Sequence, residues 1–301
     1  MILPPTVYRD FVLDAWLDWR REGKACALLT LVKADGASPR PVGSQMAVCE
    51  DGRSVGLISG GCIERTLVLD AMAAMQTGRN HVERYGEGSR FKDLRLPCGS
   101  GIDIHFDMTM EIKRVESVLM ELGHRRATFL DLDFGDQIFT RTYRPPLYLK
   151  LFGQGPIVQC TARMAHELEM KIAIHTPDDE TLDRLKTDGF LALPLEYFFR
   201  WDFPIDAIFD RFSAVLTLFH DHDREPEILA QALRSEALYI GALGSRTAQA
   251  SRLNTLKQQG FSDDDLARIH GPVGLDIGAA TPPEIALSAL AEIVACYRKQ
   301  R

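Results

Sequence analysis

Two hydrophobic rhythms run along the chain. In the first, Tyr8, Phe11, Val12, Ala15, Trp16 and Trp19 recur at helical spacing, which predicts an amphipathic helix stopped at Gly23. ACALLTLVKADG (25–36) reads as a strand, and QMAVCEDGRSVGLIS (45–59) as a hairpin turning at Asp51-Gly52. Ile63, Leu67, Ala71 and Met75 mark a helix to about Gln76, opened by Cys62. DLRLPCGSGIDIHFD (93–107) predicts a strand broken at Pro97-Cys98-Gly99, followed by a helix over 111–122 and a hairpin of ATFLDLDF and QIFTRTY.

Beyond Arg144-Pro145-Pro146 the second rhythm begins. LYLKLF, KIAIHT, AVLTLF and ALYIGAL are apolar runs, each followed by a helical pattern, and a last helix spans about 282–299. Such alternation predicts a parallel sheet with helices on its faces. The expected fold class is α/β: a mixed α+β domain over 1–145, then a Rossmann-like parallel-sheet domain over 146–301.

Composition narrows the function classes. Of 301 residues, 46% are hydrophobic and 26% charged, an ordinary globular balance, and the net charge of −7 argues against nucleic acid or a membrane surface as partner. The start, MILPPTVYRDF, has no secretory pattern, and no apolar stretch nears the roughly 20 residues of a membrane span, so the cytoplasm is the expected compartment. Six cysteines without a CxxC spacing speak for reduced thiols and against a structural zinc site.

The candidate chemistry lies in short glycine-bearing stretches. In GLISGGCIE (56–64), Gly60 and Gly61 permit close approach of a ligand to the backbone, and Cys62 faces the positive end of a helix dipole, which favours a thiolate. Cys98 likewise stands at an element end beside a glycine. Cys26, Cys49, Cys160 and Cys296 sit inside strands or helices, where packing suffices. Arg40, between two prolines, is either held ready for an anion or part of a stiff surface loop.

In the second half, GQGPIV places Gly153 and Gly155 in a strand-to-helix turn suited to a phosphate, with Val158 where a third glycine or alanine would stand. The acid that reads a ribose is missing from the end of the next strand, where KIAIHTPDDE has His175. His220, in HDHDRE after the strand AVLTLF, is a candidate contact for substrate or cofactor, and Asp223 a candidate helix cap. Ser245 and Arg246 could hold an anion at a helix start, or Ser245 could simply cap that helix. GPVGLDIGAATPPEIA (271–286) is a glycine-rich loop at another helix start, where Glu284 is expected to serve its own capping box.

These stretches carry a resemblance. GASPRPVGSQM, DGRSVGLISGGCIE and LPCGSGIDI resemble the N-terminal domain of the XdhC/CoxI family. LFGQGPIV, TLFHDHDREPEIL, YIGALGSRTAQASRL and HGPVGLDIGAATPPEIALSALAEI resemble its C-terminal Rossmann domain. The resemblance implies a maturation factor for molybdenum hydroxylases such as xanthine dehydrogenase and aldehyde oxidoreductases. Such a factor is not an enzyme. It binds the molybdenum cofactor, as molybdopterin or its dinucleotide form, and protects it while a cysteine desulfurase helps place the terminal sulfido ligand. It then passes the cofactor to the apoenzyme. On this reading Cys62 lies near the molybdenum or the transferred sulfur, with Cys98 second, and the turns at 153–158 and 244–246 hold phosphate groups. A homodimer is the expected assembly, because symmetric dimers are commonest.

Two other functions compete. A nicotinamide-dependent oxidoreductase would use the Rossmann half, but it needs the absent ribose acid and a proton donor, for which His220 is the nominee. A metal-dependent hydrolase would build on HDHD, although alternating histidines of an extended segment share one metal poorly.

Overall fold

The first strands are buried on both faces, and successive residues enter two different cores. This computed structural model describes residues 3–36, 38, 40–90, 101–133, 137–187, 196–198 (backbone only), 209–219 and 225–299. The chain divides into two compact units, Met1–Pro145 and Pro146–Arg301. The first unit runs α1 (Leu13–Arg21), β1 (Cys26–Asp35), β2 (Gln45–Cys49), β3 (Ser54–Gly56), α2 (Glu64–Met75), β4 (His81–Gly86), β5 (Gly101–Asp107), α3 (Ile112–Gly123), β6 (Thr128–Asp133) and β7 (Ile138–Tyr143). Its five-stranded antiparallel sheet has the order β3-β2-β1-β5-β4, and β6 and β7 pair separately.

Cys26, Leu28, Ala47, Cys49 and Val55 face a core built with α1 and α3. Ala27, Leu29, Leu31, Met46 and Val48 face the opposite core, closed by Leu67, Val68 and Ala71 of α2. This is the period-two alternation of a sheet covered on both sides.

Helix α1 begins at Leu13, not near Tyr8 as the spacing predicts. The open edge of β3 takes the preceding segment instead: the Val7 N–H donates to the Ser54 carbonyl, and the Gly56 N–H donates to the Val7 carbonyl. Satisfying an open strand edge outweighs the helical spacing of those apolar residues. Strand β4 escapes the sequence pattern, because HVERYG alternates around charged residues and buries only Tyr85 and Gly86 fully.

The second unit runs β8 (Tyr148–Gly153), α4 (Pro156–Glu167), β9 (Lys171–His175), α5 (Asp179–Thr187), β10 (Glu196–Phe198), β11 (Ser213–Leu218), α6 (Glu225–Leu233), β12 (Tyr239–Ala242), α7 (Arg246–Gln258), α8 (Asp263–Leu266), β13 (Ile269–His270) and α9 (Pro282–Lys299). All strand pairs are parallel, in the order β10-β9-β8-β11-β12-β13. Helices α4 and α9 cover one face through Val158, Ala162, Leu290 and Ile293. Leu229 of α6 and Leu256 of α7 belong to the core on the other. The chain moves outward from β8 to β10 and returns beside β8 as β11, so the order reverses between those two strands. Open α/β sheets bind ligands at the carboxyl ends of such a pair, here Gly153 and Leu218, which are register partners.

Two acids brace the second unit, Glu225 buried and Glu292 half-buried. Glu225, at the start of α6, meets Arg252 of α7 with both side chains almost fully covered, and the Arg252 Nη2 also donates to the Leu243 carbonyl at 2.8 Å. Glu292 of α9 accepts from the Tyr239 hydroxyl at 2.6 Å and the Gly274 N–H at 2.9 Å, with the His270 Nδ1 at 2.8 Å. Burial alone would raise the Glu292 carboxyl, but the Tyr239 hydroxyl, the His270 ring and the Gly274 N–H together hold it below the ordinary range.

Arg252→Met removes the guanidinium and leaves Glu225 buried beside an apolar chain. A loss of about 3–5 kcal/mol is expected, read as a lower urea midpoint, with Arg252→Lys falling between the two. For Glu292 the native carboxyl value is depressed, so its contribution is present above the unfolded glutamate value of about 4.3 and is lost as pH falls below it. Glu292→Gln is therefore expected to be less stable than wild type at neutral pH and to converge on it in acid. Urea midpoints across that range check this.

Candidate functional site

In the first unit the thiol loop is built around a buried carboxylate. After β3 the chain passes buried Ile58 and Ser59, turns through exposed Gly60 and Gly61 at φ of 84° and 100°, exposes Cys62, and buries Ile63 before α2 starts. Only glycine takes two successive left-handed conformations without strain. Glu64, the first residue of α2, is 3% exposed. Its Oε1 accepts the N–H groups of Ile58 at 3.1 Å and Ser59 at 2.7 Å; its Oε2 accepts the Ser59 hydroxyl at 2.6 Å and the Ile63 N–H at 3.2 Å. The Ser59 Oγ in turn accepts from the Cys62 and Ile63 N–H groups at 3.1 and 3.0 Å.

Cys62 therefore lies two residues ahead of the helix, not at its opening as the sequence predicts. Glu64 draws the chain back over its own helix start, so two further residues stay outside the helical turn. Sequence reasoning missed Glu64 as a site residue. An acid three residues after a glycine pair, at the start of an apolar helix, was the available signal, since carboxylates favour helix N-termini.

The N-terminal segment connects this loop to Arg40. Tyr8, 64% exposed, carries its hydroxyl 4.0 Å from the point where a Cβ on Gly61 would stand. Two residues later, Asp10 forms an ion pair with Arg40. The turn after Arg40 is fixed by the Ser44 hydroxyl and N–H, which both donate to the Pro41 carbonyl. Arg40 is thus held, but its charge is already matched by Asp10. Cys98 lies outside the described residues.

Among the other described thiols, Cys26 and Cys49 are buried opposite each other on β1 and β2, and Cys160 and Cys296 are half-buried. Burial pushes the Cys26 thiol up to about 12 and raises Cys49 as well. Both are poor nucleophiles and metal ligands.

In the second unit the glycine turn meets the switch point. A Cβ on Gly153 would press on the Leu218 carbonyl, so only glycine lets β8 and β11 end this close together. Gly155, at φ 80°, has open space around it and precedes Pro156, the first residue of α4. Its N–H donates to the Thr181 hydroxyl at 2.7 Å, and Thr181 is held by Asp178. The Thr181 hydroxyl keeps the Asp178 carboxyl below its usual value. At the end of β9, His175 stacks on Phe152 with centroids 4.4 Å apart, and so occupies the usual place of the ribose acid.

Ser245 caps α7, accepting the Ala248 N–H at 3.1 Å, while Arg246 next to it is exposed. Glu284 accepts the Ala280 and Thr281 N–H groups, both at 2.9 Å, the carboxylate half of the expected capping box. His220 and Asp223 lie outside the described residues. Among the described residues, no group of three or more His, Cys, Asp or Glu side chains is arranged to hold a metal ion, and no helix is long and apolar enough to cross a membrane.

Comparison with known proteins agrees with this architecture. The XdhC Rossmann domain matches residues 149–293, and the XdhC and CoxI family matches residues 19–86. The molybdenum cofactor insertion chaperone PaoD of Escherichia coli (strain K12) is 33% identical over 287 residues, covering 90% of this chain and 83% of PaoD. A protein of Bacillus subtilis (strain 168), described as a probable subunit of xanthine dehydrogenase, is 28% identical, over 94% of this chain and 96% of its own. A solved structure from Bacillus halodurans, described as a xanthine dehydrogenase, shares the fold with a TM-score of 0.78 at 23% identity, covering 96% of both chains. With the glycine-flanked thiol in one unit and the parallel sheet with its glycine turn in the other, the chain belongs to the XdhC and CoxI family.

Proposed function

We propose that this protein carries the molybdenum cofactor as cargo and delivers it to an apo molybdenum hydroxylase of the xanthine dehydrogenase or aldehyde oxidoreductase type. It protects the cofactor while a cysteine desulfurase supplies the terminal sulfur. It acts as an accessory protein, by binding and not by turnover. The observation that carries this reading is the exposed Cys62 on a loop whose Ile58, Ser59, Cys62 and Ile63 amides are tied inward. Molybdenum accepts soft sulfur ligands, and an exposed thiol reached over two glycines meets that demand. The insertion chaperone PaoD, similar over most of both chains, supports the cargo assignment.

In this reading Gly60, Gly61 and Cys62 are the contacts of the first unit for the metal of the cargo, and Arg40 and Cys98 are its further candidates. Within the second unit, Gly153, Gly155, His220, Ser245 and Arg246 are the candidates for binding a phosphate or nucleotide group. The Arg246 guanidinium is the group best suited to an anion, because Ser245 is occupied as a cap. Residues 1–145 and 146–301 act as the two domains, and the working assembly is a homodimer.

Purified protein would be incubated with released molybdenum cofactor, freed of unbound ligand, and assayed for retained molybdenum and pterin. Wild type is expected to retain both. Cys62→Ala is expected to retain at least ten-fold less at an unchanged melting temperature, since an exposed side chain contributes within about 0.5 kcal/mol to stability. Equal retention by the two proteins would remove Cys62 from the site, and no retention by either would end the carrier reading.

A further inference from the structure

Glu64 is buried, charged and fully engaged, yet every one of its bonds goes to residues 58–63. A carboxylate desolvated to this degree is costly unless donors surround it. The donors are the Ile58, Ser59 and Ile63 N–H groups and the Ser59 hydroxyl, and Ser59 relays the hold to the Cys62 N–H. Four backbone amides of the loop are thereby drawn to one interior point. Those of Gly60 and Gly61 have no protein partner among the described residues, and both glycines are exposed next to the thiol.

We propose that Glu64 is the positioning residue of this loop, acting through Ser59. Its carboxylate holds residues 58–63 in the one shape that presents the Cys62 thiol together with the Gly60 and Gly61 amides. The inference deepens the carrier reading and rests on it for its role in cargo binding. The hold on the loop is a separate property of this chain. A glutamine at 64 keeps one acceptor oxygen but turns an NH2 toward the Ile63 N–H, a donor against a donor.

The test compares wild type, Glu64→Gln, Ser59→Ala and Cys62→Ala by three readings. Hydrogen exchange over residues 57–63 reports the loop. Iodoacetamide labelling of Cys26 and Cys49, buried in the same unit, reports whether the fold survives. Retained molybdenum and pterin report cargo binding. In Glu64→Gln we expect loop exchange at least ten-fold faster, Cys26 and Cys49 still protected, and retention at least five-fold lower. Ser59→Ala is expected to move the same way by a smaller factor.

Wild-type exchange in a folded Glu64→Gln protein overturns the proposal. So does a loosened loop with undiminished retention while Cys62→Ala has lost its cargo. If Glu64→Gln exposes Cys26 and Cys49 to label, Ser59→Ala decides by the same criteria. If Cys62→Ala retains cargo as wild type does, the carrier role of the thiol fails, and loop exchange alone decides whether Glu64 holds the loop.

Discussion

A charged carboxylate cannot be left alone in a protein interior, and Glu64 turns that constraint into a loop conformation. Removing an ion from water costs several kcal/mol even in a relaxed protein. Oxygen lone pairs therefore gather every nearby donor, and the donors within reach are the amides leading into α2. The first turn of a helix has unpaired N–H groups and a positive dipole end, so an acid here is doubly favoured. Gly60 and Gly61 then take the left-handed turn that this hold requires. The exposed thiol follows from that geometry.

The second unit uses the same device at longer range. Glu225 and Arg252 are 27 positions apart, and their pair ties the start of α6 to the Leu243 carbonyl ahead of α7. Glu292 reaches from α9 to the Gly274 amide, the His270 ring and the Tyr239 hydroxyl, and so fixes the glycine-rich segment after β13. Glu284 does this locally, within one helical turn. Loops that follow parallel strands have few apolar residues to hold them. Carboxylates supply the order instead: Glu225 is buried, Glu292 half-buried and Glu284 exposed.

Legibility in the sequence followed range. Local signals were readable: the turn at Asp51-Gly52, with Gly52 at φ 88°; the prolines and Glu284 opening α9; and the strand periods that separate the antiparallel sheet from the parallel one. Ser245 admits two readings from sequence, cap and anion site, and it is engaged as a cap. Contacts between distant positions were not readable. Nothing near Tyr8 announces that its segment completes the edge of β3, or that Asp10 neutralises Arg40, thirty positions away. Strand β4 was hidden because two of its six residues, Glu83 and Arg84, are charged and serve ion pairs with Arg90 and with Asp103 and Asp35. In the candidate site, the two glycines and the thiol were visible, whereas the residue that shapes their loop stood out only as part of a motif.

The cysteines show why position alone does not define a reactive thiol. Cys26, Cys49 and Cys62 all belong to the same unit and all stand at element ends: Cys26 opens β1, Cys49 closes β2 and Cys62 lies two residues ahead of α2. Cys26 and Cys49 stand opposite each other in the core between the sheet and α1, where burial keeps them protonated and out of reach. Cys62 is exposed, on a loop whose Ile58, Ser59 and Ile63 amides are held by Glu64 and whose Cys62 amide is held by Ser59. A soft ligand for a metal-bound cargo needs access, a close backbone and a fixed direction at once. Exposure supplies the first, the glycine pair the second, and a buried carboxylate one residue past the loop the third.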